Sequence, residues 1–171
     1  MRRLLIVAAL SLAGCASSPV NATGSAAQIP AATPSAVTAQ SMSPGGTLSA
    51  LADHYSGIAA KANDKLSQCN QDLTAAGNDL AKAKVAAAAC LDAINQFEAD
   101  LGVIEWGAMQ PQIDDVLKAL GKVQVLYSDM AQASDAASYI PAAKQMAAAQ
   151  SDLHGAVNVL RSALGLPPIG P

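Results

Sequence analysis

The chain has 171 residues, with 10 Lys and Arg against 13 Asp and Glu and a formal net charge of −3. Charged residues make up 13 %, aromatic residues 3 % and hydrophobic residues 51 %. No run of basic residues exceeds Arg2-Arg3, which excludes the electrostatic footprint of a nucleic-acid binder or of a protein held on anionic lipid by charge, and the length suits one domain with appendages.

Arg2 and Arg3 open the chain, and Leu4 to Leu12 is an apolar run of about nine residues. A membrane-spanning helix needs about 20. A charged start, a short apolar run and small residues before a break describe a secretory signal peptide. The break here is Leu12-Ala13-Gly14-Cys15, which resembles the lipobox of bacterial lipoproteins. The resemblance implies cleavage before Cys15, a diacylglycerol on its thiol and an acylated new amino terminus. One acyl chain holds a protein only marginally, at roughly 0.8 kcal/mol per buried methylene, so two or three chains make a stable anchor. Ala16, not Asp, follows the cysteine. In a two-membrane bacterium this implies the inner leaflet of the outer membrane, facing the periplasm. Residues 1–14 are thus expected to be a signal peptide. Without Arg2 and Arg3, eight basic residues face thirteen acidic ones.

Residues 15–46 read as a lipid-anchored linker. They are rich in Ala, Ser, Thr, Pro and Gly, with no charge and no apolar period. Some 31 such residues span roughly 30 Å on average.

From Thr47 the pattern becomes helical. Leu48, Leu51, Tyr55, Ile58, Ala62, Leu66, Cys69, Leu73 and Ala76 recur at steps of three and four, the mark of one apolar helix face. Thr47 or Ser49 suits an N-cap. Gly77-Asn78-Asp79 combines stop and start chemistry. A second seam follows: Leu80, Ala83, Ala87, Cys90, Ile94, Phe97 and Leu101. Pro111 fits the first turn of a third helix, with seam Ile113, Val116, Leu120, Val123, Tyr127 and Met130. The stretch QASDAASYIP reads as the next break, with Pro141 starting a fourth helix. Its seam is Ala143, Met146, Gln150, Leu153, Val157, Leu160 and Leu164, with Arg161 near its end, where a cation is favoured. Residues 167–171 form a Pro-rich tail.

Four segments of similar length with short connections predict an all-α fold, an antiparallel four-helix bundle over residues 47–166. The competing reading fuses the first two segments into one long coiled-coil-like helix, since Gly77 costs only about 1 kcal/mol within a helix. The cysteines separate the two. A straight helix puts Cys69 and Cys90 about 31 Å apart at 1.5 Å per residue, whereas a disulfide needs Cα atoms within about 7 Å. A hairpin at Gly77-Asn78 brings both to facing seams, although Cys90 lies a few residues further from the turn. Exported proteins meet oxidising conditions, so the pair reads as a disulfide.

Motifs for chemistry are absent: there is no Gly-x-Ser-x-Gly, phosphate loop, His-Glu-x-x-His or Cys-x-x-Cys. His54 and His154 stand alone, so no metal site is expected. Met130 and Met146 fall on seams, where Met usually fills core, and no cofactor is expected. Asp114 and Asp115 suit a helix N-terminus. Ile104 and Trp106 are candidates for membrane or partner contact, since Trp favours the lipid boundary; the other reading has Trp106 fold back and cover the base of the core. The Ala clusters at residues 86–89 and 147–149 give close-approach faces for a protein partner or a second copy. The sequence therefore reads as a non-enzymatic, lipid-anchored envelope protein whose helices form an interaction or spacer module; the alternative is a periplasmic carrier or sensor of a small apolar ligand. Cys15→Ser is expected to abolish fatty-acid labelling in cells and to leave an uncut precursor or a soluble species. Labelled, membrane-bound mutant protein would overturn the lipobox reading.

Overall fold

The computed structural model describes residues 44–170, with side chains from Thr47 onward. The signal segment, Cys15 and the linker up to residue 43 lie outside the described residues. Four helices follow one another: α1 Pro44–Ala76, α2 Leu80–Gly102, α3 Gln110–Gln132 and α4 Ala136–Ala163. A single 3-10 turn, Gly107–Met109, leads into α3.

Cross-links between side chains join each helix to the next. Cys69 on α1 meets Cys90 on α2. Gln124 on α3 donates to Asn95 and Glu98 on α2. Lys122 on α3 pairs with Asp152 on α4 at 2.6 Å. Successive helices pack on one another and are joined by short connections, so each neighbouring pair runs antiparallel. The result is an up-down-up-down bundle. Its closely packed neighbours are α1–α2, α2–α3 and α3–α4, and α1 and α4 approach one another less closely. One end, the entry end, holds the start of α1, the α2–α3 connection and the close of α4. The distal end holds Gly77–Asp79 and Ala133–Asp135.

The chain reverses between α1 and α2, and the long-helix alternative is thereby overturned. Gly77 sits at φ 55, a conformation that glycine adopts without steric cost. Its N–H reaches Thr74 O at 3.3 Å, and Asp79 N–H reaches Ala76 O at 2.8 Å. Asp79 then caps α2 by accepting from Lys82 N at 3.2 Å, a bond that holds its carboxyl below the usual range. The turn brings the Cys69 and Cys90 Cα atoms to 5.4 Å, at disulfide distance.

Every seam residue expected on α3 is buried, and so is every one on α2 except the half-buried Leu80. The small side chains Ala52, Ala59, Ala87, Ala93, Ala119 and Ala149 join the core between them. Phe97, Tyr55, Tyr127 and Trp106 supply its bulk.

Three boundaries differ from expectation. Helix α1 begins at Pro44 rather than Thr47, because proline suits a first helical turn, where no backbone donor is needed. Thr47 and Ser49 therefore lie inside the helix and do not cap it. Helix α4 begins at Ala136, five residues before Pro141. Asp135 and Ser138 form a reciprocal capping box: Ser138 N donates to Asp135 Oδ1 at 2.9 Å, and Asp135 N donates to Ser138 Oγ at 3.2 Å. The Ser138 N–H, and the Ser138 hydroxyl that also donates to Asp135 Oδ1 at 2.9 Å, hold the Asp135 carboxyl below the usual range. Pro141 forfeits one helical bond near this end, but its turn is exposed, so water can serve the freed carbonyl. The bundle also runs past residue 166, because Ile169 of the tail is part of the core.

The cross-link closes a loop across 21 residues of sequence, so the Cys69→Ser/Cys90→Ser protein is expected to lose roughly 3 kcal/mol in urea unfolding. Non-reducing peptide mapping of protein folded under oxidising conditions should recover the joined peptides. Two free thiols there would contradict the link.

Candidate functional site

The entry end is built around Trp106. Its indole is 2 % exposed, and Nε1–H donates to Leu101 O at 2.8 Å. A buried indole needs an acceptor, and it shares the Leu101 carbonyl, near the end of α2, with the Ile104 N–H at 3.4 Å. Gly107, at φ 55, turns the backbone beneath it. Of the two readings of Trp106, the burial matches the second: the ring covers the base of the core. Ile104 is half-buried against the same core, while Val103 is 83 % exposed.

At the close of α4 the chain doubles back. Gly165, at φ 73, is the pivot. Leu166 N–H reaches Arg161 O at 2.8 Å and Gly165 N–H reaches Ser162 O at 3.1 Å, the Schellman pair that ends a helix on a left-handed glycine. The tail then runs along α4 in the opposite direction. Arg161 Nε donates to Pro167 O at 2.8 Å. Asn158 holds both main-chain groups of Ile169: Oδ1 accepts from its N at 2.9 Å, and Nδ2 donates to its O at 3.3 Å. His154 Nε2 lies 2.7 Å from Gly170 O. Asn158 Nδ2 also lies 3.5 Å from His154 Nδ1, so Nδ1 is the acceptor, and Nε2 carries the proton it gives to Gly170.

Arg161 is buried, at 3 % exposure. Its guanidinium carbon sits 5.9 Å from the centroid of the Tyr55 ring on α1, within cation–π range. One side chain thus joins α1, α4 and the tail. Burial raises the Tyr55 pKa, and the Arg161 charge pulls the other way. Arg161 looks like a surface cation in the sequence; its place is set by α1 and by the returning tail.

The distal end carries a cleft of about 490 Å³ between the α1–α2 turn and the start of α4. Its apolar walls are Leu80, Ala83, Tyr139, Ile140 and Ala143, with Lys144 at the rim. Ile140 is 44 % exposed. Beneath this end the core holds polar groups: Tyr127 and Gln150, which the seams already included, and Asn70, which no seam did. The Asn70 amide on α1 is buried with no hydrogen-bond partner on either its nitrogen or its oxygen. Burial pushes Tyr127 on α3 up to about 12, and its hydrogen bond with Gln150 on α4 pulls the other way.

The Ala clusters divide. Ala86, Ala87 and Ala149 fill the core, whereas Ala89, Ala147 and Ala148 face outward. A shallow groove on the outer side of α2 is lined by Ala81, Lys84, Val85, Ala88 and Ala131, with Val85 73 % exposed. Met130 and Met146 pack in the core. Among the described residues, no group of three or more His, Cys, Asp or Glu stands together to hold a metal ion, and no helix is long and apolar enough to cross a membrane.

No protein-family profile matches the chain, and comparison with curated proteins and with solved structures gives no match.

Since Trp106 is sealed inside, its emission in the lipid-free folded protein should be that of a buried indole. Adding anionic or neutral vesicles should leave it unchanged. A vesicle-dependent blue shift would show that the entry end opens onto lipid.

Proposed function

We propose that the protein is a lipid-anchored component of the cell envelope, and that its bundle is a non-enzymatic interaction module held off the membrane by the segment after Cys15. The observation that carries this reading is the position of the distal cleft. The chain enters the bundle at the start of α1, and the cleft lies at the opposite end. A helix of 23 residues separates the two ends, roughly 35 Å at 1.5 Å per residue. With the lipid on Cys15 in the inner leaflet of the outer membrane, the exposed Ile140 and its apolar neighbours would face the periplasm. A partly exposed aliphatic side chain beside an apolar cleft is a common feature of partner-binding surfaces. Filled seams and an apolar feature on the outside favour a protein partner over a ligand enclosed between helices.

The carrier or sensor of a small apolar ligand is the second reading. It rests on the size of the same cleft, which falls in the range of about 300–1,000 Å³ typical of small-molecule sites.

Site-specific photocrosslinkers at Ile140 and at Val103, in the lipidated protein in living cells, test the reading. A discrete crosslinked protein at Ile140, absent at Val103 and lost on Leu80→Asp, is expected. Crosslinking to lipid alone at both positions would refute it. Spin labels at Asn78 and Val103 should also differ in depth from the bilayer by about one helix length, roughly 35 Å. Equal depths would mean that the bundle lies flat.

A further inference from the structure

The segment that follows α4 is held along its main chain. Three side chains of α4, His154, Asn158 and Arg161, bind main-chain groups of residues 167, 169 and 170. They recur at steps of four and three and so share one helix face. The spacing matches an extended chain. Seven helical residues rise about 10.5 Å, and three extended residues cover about 10 Å. A helix face and an extended segment therefore stay in register over this whole length.

Almost nothing in this grip depends on the tail's side chains. The partners are three carbonyls and one N–H. The single side-chain requirement is Ile169, which is buried, while Pro167, Pro168 and Gly170 are exposed. The prolines lack an N–H and restrict φ, so the segment loses little freedom on docking. Recognition by main chain with pockets for chosen side chains is how proteins bind extended peptides.

The groove also needs an occupant. With the tail removed, Arg161 loses the acceptor of its Nε, and Asn158 loses both of its main-chain partners. The ion pairs formed among the described residues, Lys82–Asp79 and Lys122–Asp152, do not involve Arg161. The docked segment gives these donors main-chain acceptors where an empty face would leave them to water, so an extended segment is the complement of this face. It sits beside the α1–α4 side, where the helices approach less closely than successive helices do.

We propose that the His154–Asn158–Arg161 face is a docking groove for an extended segment of a partner protein, one with prolines and a branched aliphatic residue in the place of Ile169, and that the C-terminal tail is its resident occupant. The tail holds the groove closed in the free molecule and is exchanged for the partner segment. The groove is separate from the distal cleft and does not depend on the lipid anchor, so it stands or falls apart from the reading above.

The test uses the full chain with Ile169→Gly, which weakens the tail's hold, and a synthetic peptide of residues 165–171. Millimolar peptide should shift the Asn158 side-chain amide and His154 ring signals saturably toward their positions in the unsubstituted protein. The unsubstituted protein should not respond in the same range, because its own tail competes at millimolar effective concentration. A peptide carrying Ile169→Asp should be inert. Failure of the Ile169→Gly protein to respond, or equal shifts with the Asp peptide, would overturn the proposal. Asn158→Leu gives an independent readout. It should speed hydrogen exchange at the Ile169 amide more than tenfold. Unchanged exchange would likewise overturn it.

Discussion

The reversal at Gly77–Asp79 is the constraint on which the bundle depends. The α1 and α2 seams continue one another's three-four spacing, so a continuous helix would expose both. Turning at a left-handed glycine lets the two faces cover each other and brings Cys69 within 5.4 Å of Cys90. Asp79 completes the turn by capping α2. Once this hairpin exists, α3 has a surface to pack on, and α4 can follow it. Small seam residues such as Ala87 and Ala93 let the helices pack without large aromatic side chains.

A bundle built as successive hairpins has one side that no hairpin closes, between its first and last helices. Here that side is served by different chemistry. Arg161 crosses to the Tyr55 ring, and a seven-residue return from Leu164 to Gly170 follows α4. Burying a guanidinium is unfavourable unless its donors find acceptors. The Pro167 carbonyl supplies one and the face of Tyr55 receives the charge, so the cation, the ring and the tail support one another. The entry end uses the same logic, with the Trp106 indole N–H answering the Leu101 carbonyl.

The two ends of the molecule consequently differ in character. The entry end is sealed by Trp106, with Ile104 and the tail residue Leu166 packed against the core. The distal end is made of two short reversals whose Asp79 and Asp135 carboxylates are engaged in capping, leaving apolar side chains of α2 and α4 to line an open cleft. The apolar opening thus lies away from where the chain enters the bundle.

Sequence alone determined the helical class, the number of helices and nearly all of the α2 and α3 seams, because periodic apolar spacing is a local property that burial then enforces. It also pointed to the turn at Gly77–Asp79 and to the cysteine pair, since a glycine followed by a capping residue carries its own backbone chemistry. The start of α4 was misplaced because Pro141 outweighed the Asp135-Ser138 capping box, although both signals were present. The burial of Trp106, the role of Arg161 and the return of the tail belonged to the tertiary structure. Each depends on a partner distant in space or on a carbonyl whose freedom is decided only when a helix ends. A tryptophan, an arginine and a proline-rich terminus look like surface features until a folded neighbour supplies the acceptor, the ring or the groove that draws them in.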